Sequence, residues 1–289
     1  MRRKEELSIM KSQEELVGAD SNYFVYSPSK NALEMFLYPL QCGCFTYLPG
    51  YRLVREAFDS FLLMYIQKGT LTLEVDQHIQ TVNKGQFVLL DCYSRHAYST
   101  NTGWSCLWCH FDGITARNWY QNIVARFGNA FSIPDTQPMV SKLTSIYNTF
   151  SSGSIAREPL LSKYLTDILT TILLYVPTHA RADTQINMAE KAAAYISEHF
   201  AEKITIGQLA TLVGLSDYHF IRTFKKQTGF TPHEYLLNTR INTARYLLKN
   251  SSLPIKEICF STGFSCESIF CSAFKRIEGL TPAQYREHG

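Results

Sequence analysis

The sequence has no apolar run long enough to cross a bilayer. Its longest, Tyr164 to Val176, carries Asp167 and three threonines, and a span needs about 20 apolar residues. No transmembrane helix is expected. The first residues, MRRKEELSIMKSQEEL, alternate charges with single apolar side chains and hold no secretory h-region, so the reading places the protein in the cytoplasm. Charge of one sign is also scarce: the net charge is +3, too little by itself to mark a nucleic-acid-binding surface. The eight cysteines, Cys42, Cys44, Cys92, Cys106, Cys109, Cys259, Cys266 and Cys271, follow no regular framework and are expected as reduced thiols. Cys106 and Cys109 form one C-x-x-C, but residues three apart on a strand point to opposite faces, which argues against a zinc or redox site. Nucleophile-elbow, phosphate-loop and paired-carboxylate patterns are missing as well, so no catalytic residues, metal or cofactor are assigned.

What is present fits about two domains: 289 residues, 45% hydrophobic and 18% charged. The charge is unevenly divided. Residues 1–184 hold 16 Lys/Arg against 16 Asp/Glu, and residues 185–289 hold 12 against 9, so the positive excess lies in the C-terminal third.

From about Tyr23 to Phe111 the chain reads as short strands, as in FLLMYIQKGTLTLEV, HIQTVNKGQFVLLD and GWSCLWCHFDG. Lys68-Gly69, Asp76-Gln77, Asn83-Lys84-Gly85 and Asn101-Thr102-Gly103 supply turn chemistry between them, which suits a β jelly roll. After Pro138 the period lengthens. Leu143, Ile146, Tyr147 and Phe150, then Leu161, Tyr164, Leu165, Ile168, Leu169 and Ile172, predict two amphipathic helices, separated at Ser151–Ser154 and ended by Pro177. This pair packs on the barrel or, if a second apolar stripe is exposed, forms the seam of a homodimer. The expected architecture is multidomain α+β: an arm at 1–20, a barrel at 21–136, a helical segment at 137–177, a polar linker at 178–185 and an all-α domain at 186–289.

The last third repeats itself. Leu209-Ala210, Gly214-Leu215-Ser216, Phe220, Phe224-Lys225-Lys226, Gly229, Thr231-Pro232 and Tyr235 recur as Ile258-Cys259, Gly263-Phe264-Ser265, Phe270, Phe274-Lys275-Arg276, Gly279, Thr281-Pro282 and Tyr285. The offset is 49 before the turn and 50 after it. In each copy an apolar helix ends at a glycine, a serine positioned to cap follows, and a second amphipathic helix starts, which is the grammar of a helix-turn-helix. Phe220 and Phe224, or Phe270 and Phe274, lie four apart and face the core. The opposite face is left to read DNA: Tyr218, Ile221, Arg222 and Lys225 in the first unit, and Glu267, Ser268, Cys271, Ser272 and Lys275 in the second. Thr231-Pro232 and Thr281-Pro282 start the next helices, and the one from Pro232 to about Lys249 joins the units. Two reading helices so joined suit double-stranded DNA with two short boxes about 34 Å, one helical turn, apart.

From about Ile186 to Tyr285 these residues resemble the AraC/XylS family of bacterial transcription regulators. Ser272 departs from the pattern, since many members have arginine there; the second unit then leans more on DNA shape and phosphate contacts. GTLTLEVDQHIQTVNKGQFVLLDCYSRHAYS and WSCLWCHFDG more loosely resemble the family's cupin-type sensor domain. The resemblance implies a small-molecule effector, a sugar first of all, an arm that closes over it, a homodimer and, for an activator, contact with RNA polymerase. By position Arg55, His96, Tyr98 and Trp108 resemble pocket-lining residues: a flat indole for a sugar ring and donors for its hydroxyls. Two alternatives stay open: an apolar effector such as a fatty acid, and a metal-binding cupin enzyme using His96 and His110, although no histidine stands near Arg52 and Arg55.

Overall fold

The computed structural model describes residues 10–11, 14–175 and 181–287. Of the arm, residues 1–9 and 12–13 lie outside them, as do 176–177, with the Pro177 expected to end the second helix, 178–180 of the linker and 288–289 at the end. The chain divides into two compact units, Met1–Val176 and Pro177–Gly289.

The first unit holds strands β1 (Met10–Lys11), β2 (Asn22–Val25), β3 (Leu37–Tyr47), β4 (Arg52–Arg55), β5 (Phe61–Val75), β6 (His78–Asn83), β7 (Phe87–Asp91), β8 (His96–Ser99), β9 (Trp104–Gly113) and β10 (Ala130–Phe131). Its helices are α1 (Lys30–Met35), α2 (Ala116–Phe127), α3 (Gln137–Ser151) and α4 (Glu158–Leu174). One path runs β1-β2-β3-β9-β5-β7-β10; β5 also pairs with β6 and β8, and β8 with β4. The pairs are antiparallel and the path does not close on itself.

Lys68-Gly69, expected as a turn, lies inside the single strand β5. The ladder to β9 shifts register between Ile66 and Lys68, and Gly69 takes a φ of +71°. This bulge bends β5 so that its first half pairs with β7 and its second with β6 and β8. A Cβ at Gly69 would run into the Gly103 carbonyl oxygen, so the close approach of two strands, not a reversal, explains the glycine. Asp76-Gln77 does turn the chain, with φ of +49° and +64° between β5 and β6.

Strict alternation along β9 divides the unit in two. Leu107, Cys109 and Phe111 enter a core that also holds Ile123 of α2, Met139, Leu143, Ile146 and Phe150 of α3, and Leu161, Leu165, Ile168 and Ile172 of α4. Trp104, Cys106 and Trp108 enter the other, with Phe45, Leu62, Met64, Leu73 and Tyr98. The two thiols of the C-x-x-C therefore sit in different cores, as the period-two argument requires. Helices α3 and α4 bury their apolar stripes on the sheet, and their exposed large apolar side chains, Leu160 and Leu174, form no continuous second stripe. Helix α2 falls within the stretch read as barrel. Its Trp119, Tyr120, Ile123, Val124 and Phe127 hold helical spacing, but aromatic and β-branched residues also suit strands.

The second unit is all helical: α5 (Arg181–His199), α6 (Ile206–Leu212), α7 (Asp217–Thr228), α8 (Pro232–Asn250), α9 (Ile255–Ser261), α10 (Glu267–Glu278) and α11 (Pro282–Glu287). Helix α5 starts inside the stretch read as linker. The unit has two cores. Ala189, Ala192 and Ile196 of α5 pack with Leu209, Phe220 and Phe224, while Ile241, Ala244 and Leu248 of α8 pack with Ile258, Phe264, Phe270 and Phe274. Helix α8 reaches both, since Tyr235 and Leu236 pack on the first core. Among the described residues no helix is long and apolar enough to cross a membrane.

Candidate DNA-reading helices and effector cavity

Helix α7 starts after Ser216 and α10 after Cys266, so the extra residue of the second copy falls in its turn. Neither helix receives a side-chain cap at its start: the Ser216 hydroxyl makes none, and the cap position of α10 belongs to Cys266, not to Ser265. The turn itself, with φ of +71° at Gly214 and +82° at Gly263, therefore sets where each reading helix starts. The Thr-Pro starts hold. Thr231 and Glu234 form a reciprocal capping box on α8, and Thr281 and Gln284 exchange the same bonds on α11.

Phe220, Phe224, Phe270 and Phe274 are buried, and the residues on the opposite faces are free of the cores. Tyr218, Ile221, Arg222 and Lys225 are exposed on α7; Glu267, Ser268, Ser272 and Lys275 are exposed on α10. Cys271 differs. It is half-buried against the second core, which leaves it little surface to offer a base. Helix α8 is pinned to the segment after α5: Arg240 donates from Nε to the Phe200 carbonyl and from Nη2 to that of Glu202, both at 2.8 Å. Its guanidinium lies 5.8 Å from the ring of Phe264 in the second unit.

In the first unit, Arg55, Tyr98 and Trp108 come together around a cavity of about 780 Å³, with Tyr23, Gln41, Phe45, Tyr47 and His110 on its other walls. His96 does not line it. Its ring is 1% exposed at the end of β8, with Nδ1 bonded to the Ser94 carbonyl at 2.9 Å. His110 takes its place in the wall, two residues on from Trp108 and on the same face of β9. That period-two step was the signal for it, and the same rule on β3 points to Gln41, Phe45 and Tyr47. From the arm, Lys11 and Glu14 also reach the cavity. The indole N–H of Trp108 is buried and has no hydrogen-bond partner among the described residues. Those residues contain no group of three His, Cys, Asp or Glu side chains able to hold a metal, so the metal-enzyme alternative finds no site in them.

His110 Nδ1 shares a hydrogen bond with the Ser60 hydroxyl at 2.8 Å, and burial, then Arg55 and His96, push its pKa down to about 3. Burial also lowers that of His96. The unfolded chain takes up a proton near pH 6.5, the folded one resists it until about pH 3, so stability is fully present above pH 6.5 and is lost as pH falls between the two. His110 alone is expected to cost the first unit about 2 kcal/mol by pH 5. Denaturant melts of the full chain followed by tryptophan emission check this, because Trp104, Trp108 and Trp119 all lie in the first unit. His110→Gln should flatten the profile.

The architecture defines a class: a small-molecule-binding β domain carried on the same chain as paired helix-turn-helix units. The sequence profile described as AraC-like ligand binding domain matches residues 38–160, and that described as helix-turn-helix domain matches 209–288. The chain belongs to the AraC family of DNA-binding transcription regulators. Among its relatives, the HTH-type transcriptional regulator YisR of Bacillus subtilis is 26% identical over 81% of this chain and 88% of its own. The Msm operon regulatory protein of Streptococcus mutans is 25% identical over 82% and 88%. Among solved structures, the C-terminal domain of the two-component response regulator yesN from Fusobacterium nucleatum is 32% identical over 35% of this chain and 98% of that one, with a TM-score of 0.34.

Proposed function

We propose that the protein is a ligand-responsive regulator in the cytoplasm that binds two boxes about one helical turn apart, one through α7 and one through α10. The observation that carries this reading is the pair of matched helices with buried phenylalanine faces and exposed polar faces, joined by the continuous helix α8. Arg222 is the principal base reader, Tyr218, Ile221 and Lys225 flank it, and the second helix contributes through Glu267, Ser268, Ser272 and Lys275, with Cys271 at its margin. The effector is a small polar molecule of the sugar class held by Arg55, Tyr98, Trp108 and His110, and His96 supports the wall from behind. Arg55, Gln41 and His110 on the cavity wall favour it over a fatty acid. Effector binding shifts DNA affinity only to the extent that it favours one arrangement of the chain over another. In this reading the protein acts as a homodimer, activates genes of carbohydrate use and contacts RNA polymerase when bound.

Arg222→Ala is expected to weaken specific DNA binding by about 1–3 kcal/mol without lowering the thermal midpoint, because the side chain supports no core. Fluorescence anisotropy with the protein's own site against a scrambled duplex measures it. Equal affinity of the variant and the parent for the specific site would remove α7 from its role.

A further inference from the structure

Burial fixes the direction of one hydrogen bond at the cavity wall. The Ser60 hydroxyl and His110 Nδ1 share a proton at 2.8 Å. Ser60 is 0% exposed, and among the described residues its side chain has no other hydrogen-bond partner. If Nδ1 donated, the Ser60 O–H would be buried without an acceptor, which disfavours that arrangement about ten-fold or more. If Ser60 donates, both groups are satisfied and Nδ1 keeps a bare lone pair.

Both partners are held in place. The Ser60 N–H donates to the Phe58 carbonyl at 2.6 Å, and the Ser60 carbonyl accepts from the Cys92 N–H at 3.0 Å, so the hydroxyl is presented by anchored backbone. The His110 ring packs against both Phe58 and Trp108, with centroids 4.8 and 5.5 Å away, and turning it over would disturb these contacts. Burial, then Arg55 and His96, keep the ring unprotonated near neutral pH, and a neutral imidazole carries one N–H. With Nδ1 engaged as an acceptor, that N–H is Nε2, the nitrogen left for the cavity that His110 lines.

The group that meets this nitrogen must match it. Nε2–H only donates, and the Arg55 guanidinium on the same cavity has donors and no acceptor. A ligand N–H or ammonium set against them would meet donors alone, whereas an oxygen with free lone pairs would be satisfied. The opposite tautomer, with a bare Nε2, would call for a ligand proton instead. Ser60 therefore selects between two kinds of ligand group without touching either.

From this geometry we infer that Ser60 is a positioning residue of the effector cavity: it fixes His110 as the uncharged Nε2–H tautomer, and the effector presents an acceptor oxygen, such as a carbonyl or ring oxygen, to that N–H. The inference rests on the reading of the cavity as an effector site and specifies one group of its ligand.

The test uses the full-length chain labelled with 15N-histidine, His110 being assigned by the signals that His110→Phe removes. Proton–nitrogen NMR spectra at neutral pH, without ligand, are expected to show a protonated Nε2 and a bare Nδ1. Ser60→Ala should lower the ratio of this tautomer to the other about ten-fold, and Ser60→Thr, which keeps the hydroxyl, should retain the parent pattern. Lost packing alone would not move a proton between the two nitrogens. The ligand probe is N,N-dimethylacetamide, which has an acceptor oxygen and no polar hydrogen. It should shift the Nε2–H signal saturably and, by tryptophan emission, bind His110→Phe about five-fold more weakly than the parent. A proton on Nδ1 in the parent, or an unchanged tautomer ratio in Ser60→Ala, would overturn the inference and leave the effector reading standing. A proton on Nε2 that does not respond to the probe would overturn the acceptor subsite and, with it, the cavity as the effector site.

Discussion

Gly263→Ala is expected to destabilise the second unit by about 3 kcal/mol, and Gly214→Ala, at the equivalent turn, by about 1 kcal/mol. Both glycines hold a positive φ, +82° and +71°, so both substitutions carry the strain of a left-handed alanine. Their surroundings differ. A Cβ at Gly214 meets nothing within 4 Å, whereas one at Gly263 would stand 2.7 Å from the Ala201 carbonyl oxygen and 2.9 Å from its Cα. Those are backbone atoms, and Arg240 pins the carbonyls on either side of them, so the clash cannot be relieved by a side-chain rotation. Strain and overpacking therefore add at Gly263 and only strain acts at Gly214. Helical circular dichroism in denaturant measures the difference. Equal losses at the two sites would show that the second turn does not back onto the segment after α5.

Phe274→Ala is expected to cost about 4 kcal/mol, the middle of the range for removal of a buried ring. Phe274 is 0% exposed, with the Phe270 and Tyr285 rings at 5.7 and 5.3 Å. Tyr285 belongs to α11, where its hydroxyl accepts from Arg245 Nε of α8, and its carbonyl accepts from Lys249 of the same helix. Losing the ring thus opens a cavity at the junction of α8, α10 and α11, and α10 loses the contact that orients its reading face. The first core of the unit contains none of these residues. The expected signature is a lower helical transition with the tryptophan-detected transition of the first unit unchanged, and two-box DNA reduced toward the affinity of a single box. A drop in both transitions would contradict the division of the chain into separately stabilised units.

The parts of the fold that were legible in the sequence are those written in local periods. The 49- and 50-residue offsets gave the second unit, because each copy carries its own core phenylalanines and its own turn glycine. Alternation along WSCLWCHFDG set Cys106 and Cys109 on the two faces of β9, and the resemblance to the family's sensor domain pointed to Trp108. What stayed hidden depends on contacts far apart in the chain. Lys68-Gly69 has turn composition, but the bulge that uses it exists only because Gly103 approaches from another strand. Ser265 has capping chemistry, yet the inserted residue moves the cap position to Cys266. Of the two histidines, alternation from Trp108 places His110 on the cavity face of β9, whereas His96, hydrogen-bonded to the Ser94 carbonyl, is not among the lining residues. Glu14 lies in a charged, aperiodic segment that no pattern distinguishes, and its hydrogen bond from Tyr51 and its approach to Arg55 emerge only in the fold.

The central claim is that the paired helices read a specific DNA sequence. Purified full-length protein, and in parallel Arg222→Ala, would be mixed with fragmented DNA of the source organism at moderate salt, and the recovered fragments sequenced. The account predicts a few strongly enriched sites, each with two boxes about one helical turn apart, and loss of enrichment with the variant. Uniform recovery by the parent protein, both alone and with a panel of neutral and acidic sugars added, would contradict it.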